Sequence, residues 1–220
     1  MNASLIVFDL DGTLIDSAAD LAAAINAMLA EFGCEPLPVP EVRRMIGDGV
    51  AMLVARALAA SDCRQADPAA AAGVFMRHYA SGATSLTTAF PGVAEALRVL
   101  REEGIPLAVC TNKPTRISER ILGSLGLAGY FARVIGGDSL PFRKPDPRVL
   151  LTLLEDFAAR SEDSLLVGDS EVDAATASAA GVPFVLMKHG YRRGPAEEIR
   201  CAAALEHFAE LPAMVRALPP

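Results

Sequence analysis

Residues 4–13 read Ser-Leu-Ile-Val-Phe-Asp-Leu-Asp-Gly-Thr, and this stretch decides the fold. Ser4 to Phe8 is an unbroken apolar run, as expected for a strand covered on both faces of a parallel sheet. The run stops at Asp9, and Asp11 follows two residues later. At the period of a strand both carboxylates lean the same way, while Leu10 points oppositely. Two acids so placed repel each other unless a cation sits with them. A turn with a helix cap would account for Asp11-Gly12, but not for the pair of acids. Gly12 lets the backbone turn sharply and present N–H groups.

Four more runs of the same kind lie downstream. Ile105–Cys110 ends at Thr111, and Phe131–Ile135 at Gly136-Gly137-Asp138. Ser164–Val167 ends at Gly168-Asp169, and Pro183–Met187 near Gly190. Helical patterns separate them: Val93–Glu103 stopped by Gly104, Thr115–Leu125, a helix opened by Asp146-Pro147, and Glu171–Ala180 ended by Gly181. This alternation predicts an α/β fold, a Rossmann-like parallel sheet of five strands with helices on both faces.

A crossover between parallel strands needs about a dozen residues. Between the first two strands the whole of 17–81 intervenes, with helical stretches at Ala18–Phe32, Glu41–Ala60 and Pro68–Tyr79 and no convincing strand. Pro36, Pro38 and Pro40 break the first from the second. The expected division is an α/β core of residues 1–14 and 84–220, with an inserted all-helical cap over 15–83.

The 220 residues suit one domain plus a sizeable insertion. A formal net charge of −7 argues against a generally basic nucleic-acid binder. Mean hydropathy is +0.32, yet no apolar run reaches the roughly 20 residues that span a bilayer. Met1–Ser4 has no basic leader segment, so the expectation is a cytoplasmic protein with neither a membrane nor a nucleic-acid partner. Cys34, Cys63, Cys110 and Cys201 show no C-x-x-C spacing and are expected to be reduced thiols packed as small apolar groups.

Three further polar sets fall at strand ends: Thr111-Asn112, Arg143-Lys144-Pro145-Asp146-Pro147, and Gly168-Asp169-Ser170-Glu171-Val172-Asp173. Taken singly, Lys144 reads as a surface lysine, Asp173 as a first-turn helix acid and Thr111 as a cap. In a parallel sheet, however, all strand C-termini lie on one edge, where ligands bind. The sets therefore converge on a site of several carboxylates, one lysine, hydroxyls and helix N-termini. That suits a hard divalent cation with a phosphoryl group, Asp9 and Asp169 serving as ligands. The lysine and backbone N–H groups suit the remaining phosphoryl oxygens.

The motifs DLDGT (9–13), TN (111–112), RKPDP (143–147) and GDSEVD (168–173), in this order, resemble those of the haloacid dehalogenase superfamily of phosphatases. TNKPTR (111–116), GGDSLPFRKPDP (136–147) and IGDG (46–49) are most similar to its bacterial phosphoglycolate phosphatases. The resemblance implies Asp9 as the nucleophile that forms an aspartyl-phosphate, and Asp11 as general acid and then base. It implies Mg²⁺ held by Asp9, Asp169 and the backbone carbonyl of Asp11. It further implies Thr111 and Lys144 on the transferring oxygens with Asn112 assisting, and Asp173 supporting Lys144 or a metal-bound water from behind. Gly12, Thr13, Gly47 and Gly49 fall on the substrate side.

The activity so implied is Mg²⁺-dependent hydrolysis of a small phosphorylated metabolite, 2-phosphoglycolate, to glycolate and phosphate. The alternatives are another small phosphate, such as a sugar or amino-sugar phosphate, a phosphomutase like β-phosphoglucomutase, or a phosphate-binding module without turnover. Asp11 itself favours a phosphate ester over halide release, because an alkoxide leaving group needs a proton and halide does not. A substrate carboxylate wants a cation, for which Arg56 is the favoured candidate over Arg43 and Arg44. His78, His189 and His207 have no triad spacing, and Tyr191-Arg192-Arg193-Gly194 reads as a plain loop near the site. The chain is expected to be a monomer or homodimer.

Overall fold

A computed structural model of the chain describes residues 3–217. Met1 and Asn2 of the expected start, and 218–220 of the expected core, lie outside the described residues. The strands are β1 (Leu5–Phe8), β2 (Ile15–Asp16), β3 (Thr88–Ala89), β4 (Leu107–Cys110), β5 (Arg133–Ile135), β6 (Ser164–Gly168), β7 (Phe184–Met187) and β8 (Ala203–Leu205). The helices are α1 (Ala18–Glu31), α2 (Val39–Arg43), α3 (Val50–Ala60), α4 (Pro68–Gly82), α5 (Val93–Glu102), α6 (Thr115–Ser124), α7 (Arg148–Asp156), α8 (Glu171–Ala180) and α9 (Leu211–Ala217).

Six strands form one parallel sheet in the order β5-β4-β1-β6-β7-β8. The chain winds outward from β1 in one direction, then returns to its other side, so β1 is central and its C-terminal end lies where the winding reverses. Alternate residues of the central strands feed two separate cores, which is why these runs carry no polar alternation. Ile6, Phe8, Val109 and Val167 pack with α5, α6 and α9. Leu5, Val7, Ala108 and Leu166 pack with α7 and α8 on the opposite face.

The sheet has one strand more than the expected five. Ala203-Ala204-Leu205 lacks β-branched residues and lies at the edge, so only its backbone ladder to Val185–Met187 makes it a strand. A second, two-stranded antiparallel sheet pairs β2 with β3, the segments through which the chain leaves the α/β region and returns.

The intervening residues form α1–α4 and no strand. The expected helix over Glu41–Ala60 is broken. Its first part ends at Arg43 and α3 begins at Val50, because Gly47 (φ 120°) and Gly49 (φ 87°) hold conformations a helix does not allow. Helix α1 packs on α4. The Asp20 carboxylate ties α1 to the returning chain by accepting from the N–H groups of Leu86 and Thr87 and from the Thr87 hydroxyl.

Cys34 and Cys63 are joined by a disulfide, against the expectation of four reduced thiols. Twenty-nine residues separate them in sequence, and only the packing of the segments after α1 and α3 brings their Cα atoms to 5.8 Å, within bridging range. Cys110 and Cys201 are free. Among the described residues no helix is long and apolar enough to cross a membrane.

Candidate active site

The site begins where β1 ends. The Asp9 N–H donates to Val167 O at 2.9 Å, so its backbone is still clamped to β6 as its side chain reaches the sheet edge. One carboxylate oxygen of Asp9 lies 2.7 Å from Lys144 Nζ. Lys144 also donates to Asp173 Oδ1 at 2.6 Å, and all three side chains are nearly sealed from solvent.

Asp173 owes its position to a helix cap. Ser170 precedes α8, its hydroxyl accepts from the Asp173 N–H, and Asp173 Oδ2 accepts in return from the Ser170 hydroxyl and N–H. One short motif thus caps a helix and anchors the lysine.

Asp169 is likewise buried. It accepts from Thr13 Oγ1 at 2.9 Å and from the Tyr191 N–H at 2.5 Å. The chain crowds this carboxylate so closely that a Cβ on Gly12 or Gly190 would overlap it, and Gly12 sits at φ 85°. Gly12 and Thr13 therefore lie beneath Asp169 rather than on the cavity wall.

Asp9, Asp169 and Asp173 each present an oxygen within 4.8 Å of the others. Burial pushes the Asp9 carboxyl up to about 7, with Lys144 opposing and Asp173 adding to the rise. Burial, and then Asp173 and Asp9, hold Asp169 well above the usual carboxylate range. Four carboxylates, counting Asp11, face only two ammonium groups, those of Lys144 and Lys113. An all-oxygen donor set with surplus negative charge fits a hard cation.

Asp11 takes a hydroxyl donor from Ser17 at 2.5 Å and Lys113 Nζ on both oxygens, at 2.6 and 2.8 Å. Lys113 is absent from the sequence-derived site, and it is nearly as buried as Lys144. Its position, third in a loop directly after β4, was the available signal. Tyr191 is a second such residue. Rather than lying in a plain loop, its phenol donates to Asp16 and accepts from the N–H groups of Ser17 and Ala18, fastening the start of α1. His189 rests on the Phe90 ring and meets Thr13 O, with no catalytic partner.

A cavity of about 40 Å³ lies between the sheet edge and the helical insertion. Asp9, Asp11, Thr111, Asn112 and Lys113 line it from below; Leu21, Gly47, Gly49, Phe75 and Tyr79 line it from above. Thr111 accepts from the Lys113 N–H at 3.2 Å. The Asn112 amide joins the two halves, donating to Gly47 O at 2.9 Å and to Lys144 O at 3.0 Å. Its Oδ1 is buried without a partner.

Arg56 is not brought to this cavity. It donates to Met45 O and pairs at 2.5 Å with Asp48, which also binds Arg193, so it braces the glycine loop from outside. Arg43 lies over the Tyr191 ring, and Arg43 and Arg44 line a separate outer groove.

The family model for haloacid dehalogenase-like hydrolases matches residues 6–187. A phosphoglycolate phosphatase of Cereibacter sphaeroides is 46% identical over 218 residues, 97% of this chain and 98% of that protein. Phosphoglycolate phosphatase 1 of Pseudomonas aeruginosa is 43% identical over 194 residues, covering 86% of this chain and 71% of that one. Among solved structures, a predicted phosphoglycolate phosphatase from Haemophilus somnus superposes with a TM-score of 0.91 at 32% identity, covering 96% of this chain and 97% of that one.

Proposed function

The chain belongs to the haloacid dehalogenase-like hydrolase family, a phosphoric monoester hydrolase by its relatives, and on that premise we propose that it converts 2-phosphoglycolate to glycolate and phosphate with Mg²⁺. The observation that carries the chemistry is the pairing of Asp9 and Asp11 on one cavity wall, each held by its own buried lysine.

Asp9 has one oxygen engaged by Lys144, and the other attacks phosphorus in line with the ester oxygen. The P–O bond to glycolate breaks as the P–O bond to Asp9 forms, and Asp11 gives its proton to the departing alkoxide. Asp11 then takes a proton from water as that water attacks phosphorus, releasing phosphate and restoring the Asp9 carboxylate. Lys144 and Thr111 hold the equatorial oxygens with Asn112 beside them. Asp9, Asp169 and the Asp11 carbonyl would hold Mg²⁺, which when bound offsets phosphoryl charge. Asp173, with Oδ2 already accepting from Ser170, serves Lys144 from behind.

Helices α1–α4 act as a cap over this chemistry, residues 15–83 against a core of 1–14 and 84–220. A small substrate suits this cavity, which at about 40 Å³ is narrow between the sheet edge and the helical insertion. A two-carbon ester enters with less opening than a sugar phosphate. The near-full-length relatives named for this reaction support the same substrate. The protein works in the cytoplasm as a monomer or homodimer.

The test is phosphate release from 2-phosphoglycolate, β-glucose 1-phosphate, N-acetylmuramate 6-phosphate and p-nitrophenyl phosphate. A strong preference for 2-phosphoglycolate is expected, abolished by EDTA and reduced at least about 10⁴-fold by Asp9→Asn. Flat activity across the panel would discard the substrate. Conversion of glucose 1-phosphate to the 6-phosphate without phosphate release would replace hydrolysis with mutase chemistry.

A further inference from the structure

Two groups on the cavity wall remain unused by the chemistry above. Lys113 Nζ is the only cation lining the cavity among the described residues. An ammonium has three donors; Lys113 places two of them on the Asp11 oxygens and stands beside the Tyr79 side chain with the third. Tyr79, on α4, is 1% exposed, and its hydroxyl makes no hydrogen bond of normal geometry, with Lys113 the cation beside it. Lys113 Nζ stands 4.9 Å from the centre of the Tyr79 ring. A buried hydroxyl without a partner is destabilising, so its retention beside the cavity points to a ligand that satisfies it. Burial raises the Tyr79 phenol to about 12, which keeps it an O–H donor at neutral pH.

We propose that Lys113 and Tyr79 form a carboxylate clamp that selects phosphate esters bearing an acid group beside the ester oxygen. The proposal rests on the hydrolase reading above and names what that site recognises. Its geometry follows from bond connectivity. Asp11 must reach the bridging oxygen to protonate it, and in a 2-phospho acid the carboxylate carbon is two bonds from that oxygen. A cation bonded to Asp11 is therefore beside the place the carboxylate must occupy. One carboxylate oxygen takes the third donor of Lys113 and the other takes the Tyr79 hydroxyl. Because Lys113 belongs to the loop after β4 and Tyr79 to the helical insertion, the acid is gripped from both sides of the cavity. The cap arginines do not line the cavity and make no part of the clamp.

The test compares kcat/KM for 2-phosphoglycolate with that for ethyl phosphate, which replaces the carboxylate by a methyl group. It uses the wild type, Lys113→Met, Lys113→Arg and Tyr79→Phe, with glycolate inhibition as a second readout. The acid preference is expected to fall about 100-fold in Lys113→Met, because a site built to bind a polar group discriminates strongly through it. It should fall about 10-fold in Tyr79→Phe, the loss of one hydrogen bond to a charged group. Glycolate inhibition should weaken in both variants, and Lys113→Arg should restore part of the preference.

Equal losses on both esters in Lys113→Met would overturn the clamp and leave Lys113 as a partner of Asp11 alone. Should Lys113→Met lose its fold by circular dichroism, Tyr79→Phe decides, and an unchanged preference there overturns the clamp. A wild type that turns over both esters without preference would refute the acid substrate, and one that hydrolyses neither would refute the hydrolase reading itself.

Discussion

The loops at the sheet edge and the helical insertion contribute to the same cavity by different routes. On the sheet side, Asp9, Thr111, Lys144 and Asp169 all follow strands that run in one direction. Parallel pairing then delivers their loops to one edge whatever else the chain does. On the helical side, Gly47, Gly49, Phe75 and Tyr79 come from a loop and a helix about thirty residues apart, joined only by packing. Arg56 looks suited to the cavity by charge and spacing, yet faces Asp48 outside it. A backbone ladder transmits position from sequence to site; helix packing transmits only which face is apolar.

Three perturbations separate the two sides of the cavity. The largest effect belongs to the sheet side. Lys144→Met removes the ammonium that lies between Asp9 and Asp173 and strands two buried carboxylates. We expect a loss of about 3–5 kcal/mol in urea denaturation. Turnover should fall about 10³-fold as one phosphoryl donor disappears. Near-native stability with full activity would show that the buried network does not organise the site.

A smaller effect is the pH dependence of Mg²⁺ binding, measured by calorimetry. Burial raises the Asp9 carboxyl to about 7, so below that pH the native site holds a proton that the cation must displace. Affinity should therefore strengthen as pH rises through about 7, by up to about tenfold per unit for the Asp9 proton and more steeply where Asp169, also raised by burial, gives up a second. An affinity already flat at about pH 6 would mean that Asp9 is ionised there and is not the displaced group.

The smallest effect is expected on the helical side. Arg56→Ala leaves Asp48 its contact with Arg193, so stability should change by less than about 1 kcal/mol. KM for 2-phosphoglycolate should stay within about threefold, the effect of a partly exposed ion pair that touches no substrate. A rise of about 100-fold in KM would place Arg56 on the substrate and erase the contrast between the two regions.

Much of the fold was legible because its strands are short apolar runs ended by polar residues. Ser164 to Val167 and Glu171 to Ala180 are found as strand and helix where their patterns put them, with β6 extended to Gly168. The edge strand Ala203–Leu205 was not legible, since alanines carry little strand preference. Within the site, Lys144 and Asp173 were legible through motif order. Lys113 was not, because a lone lysine reads as solvated until burial beside Asp11 shows otherwise. The Cys34–Cys63 bridge was hidden for a related reason, its two thiols meeting only where helical segments end together.

By itself the sequence determined the parallel α/β architecture, the presence of a helical insertion and the acids at the end of β1. Each is set by local periodicity, or by a rule that ties strand direction to one sheet edge. Only the tertiary structure decided that a second lysine grips Asp11, that Tyr79 lines the cavity while its hydroxyl is buried, and that Arg56 turns away from it. Those outcomes depend on how helices rotate against one another, and many sequences with the same apolar stripe would have rotated them differently.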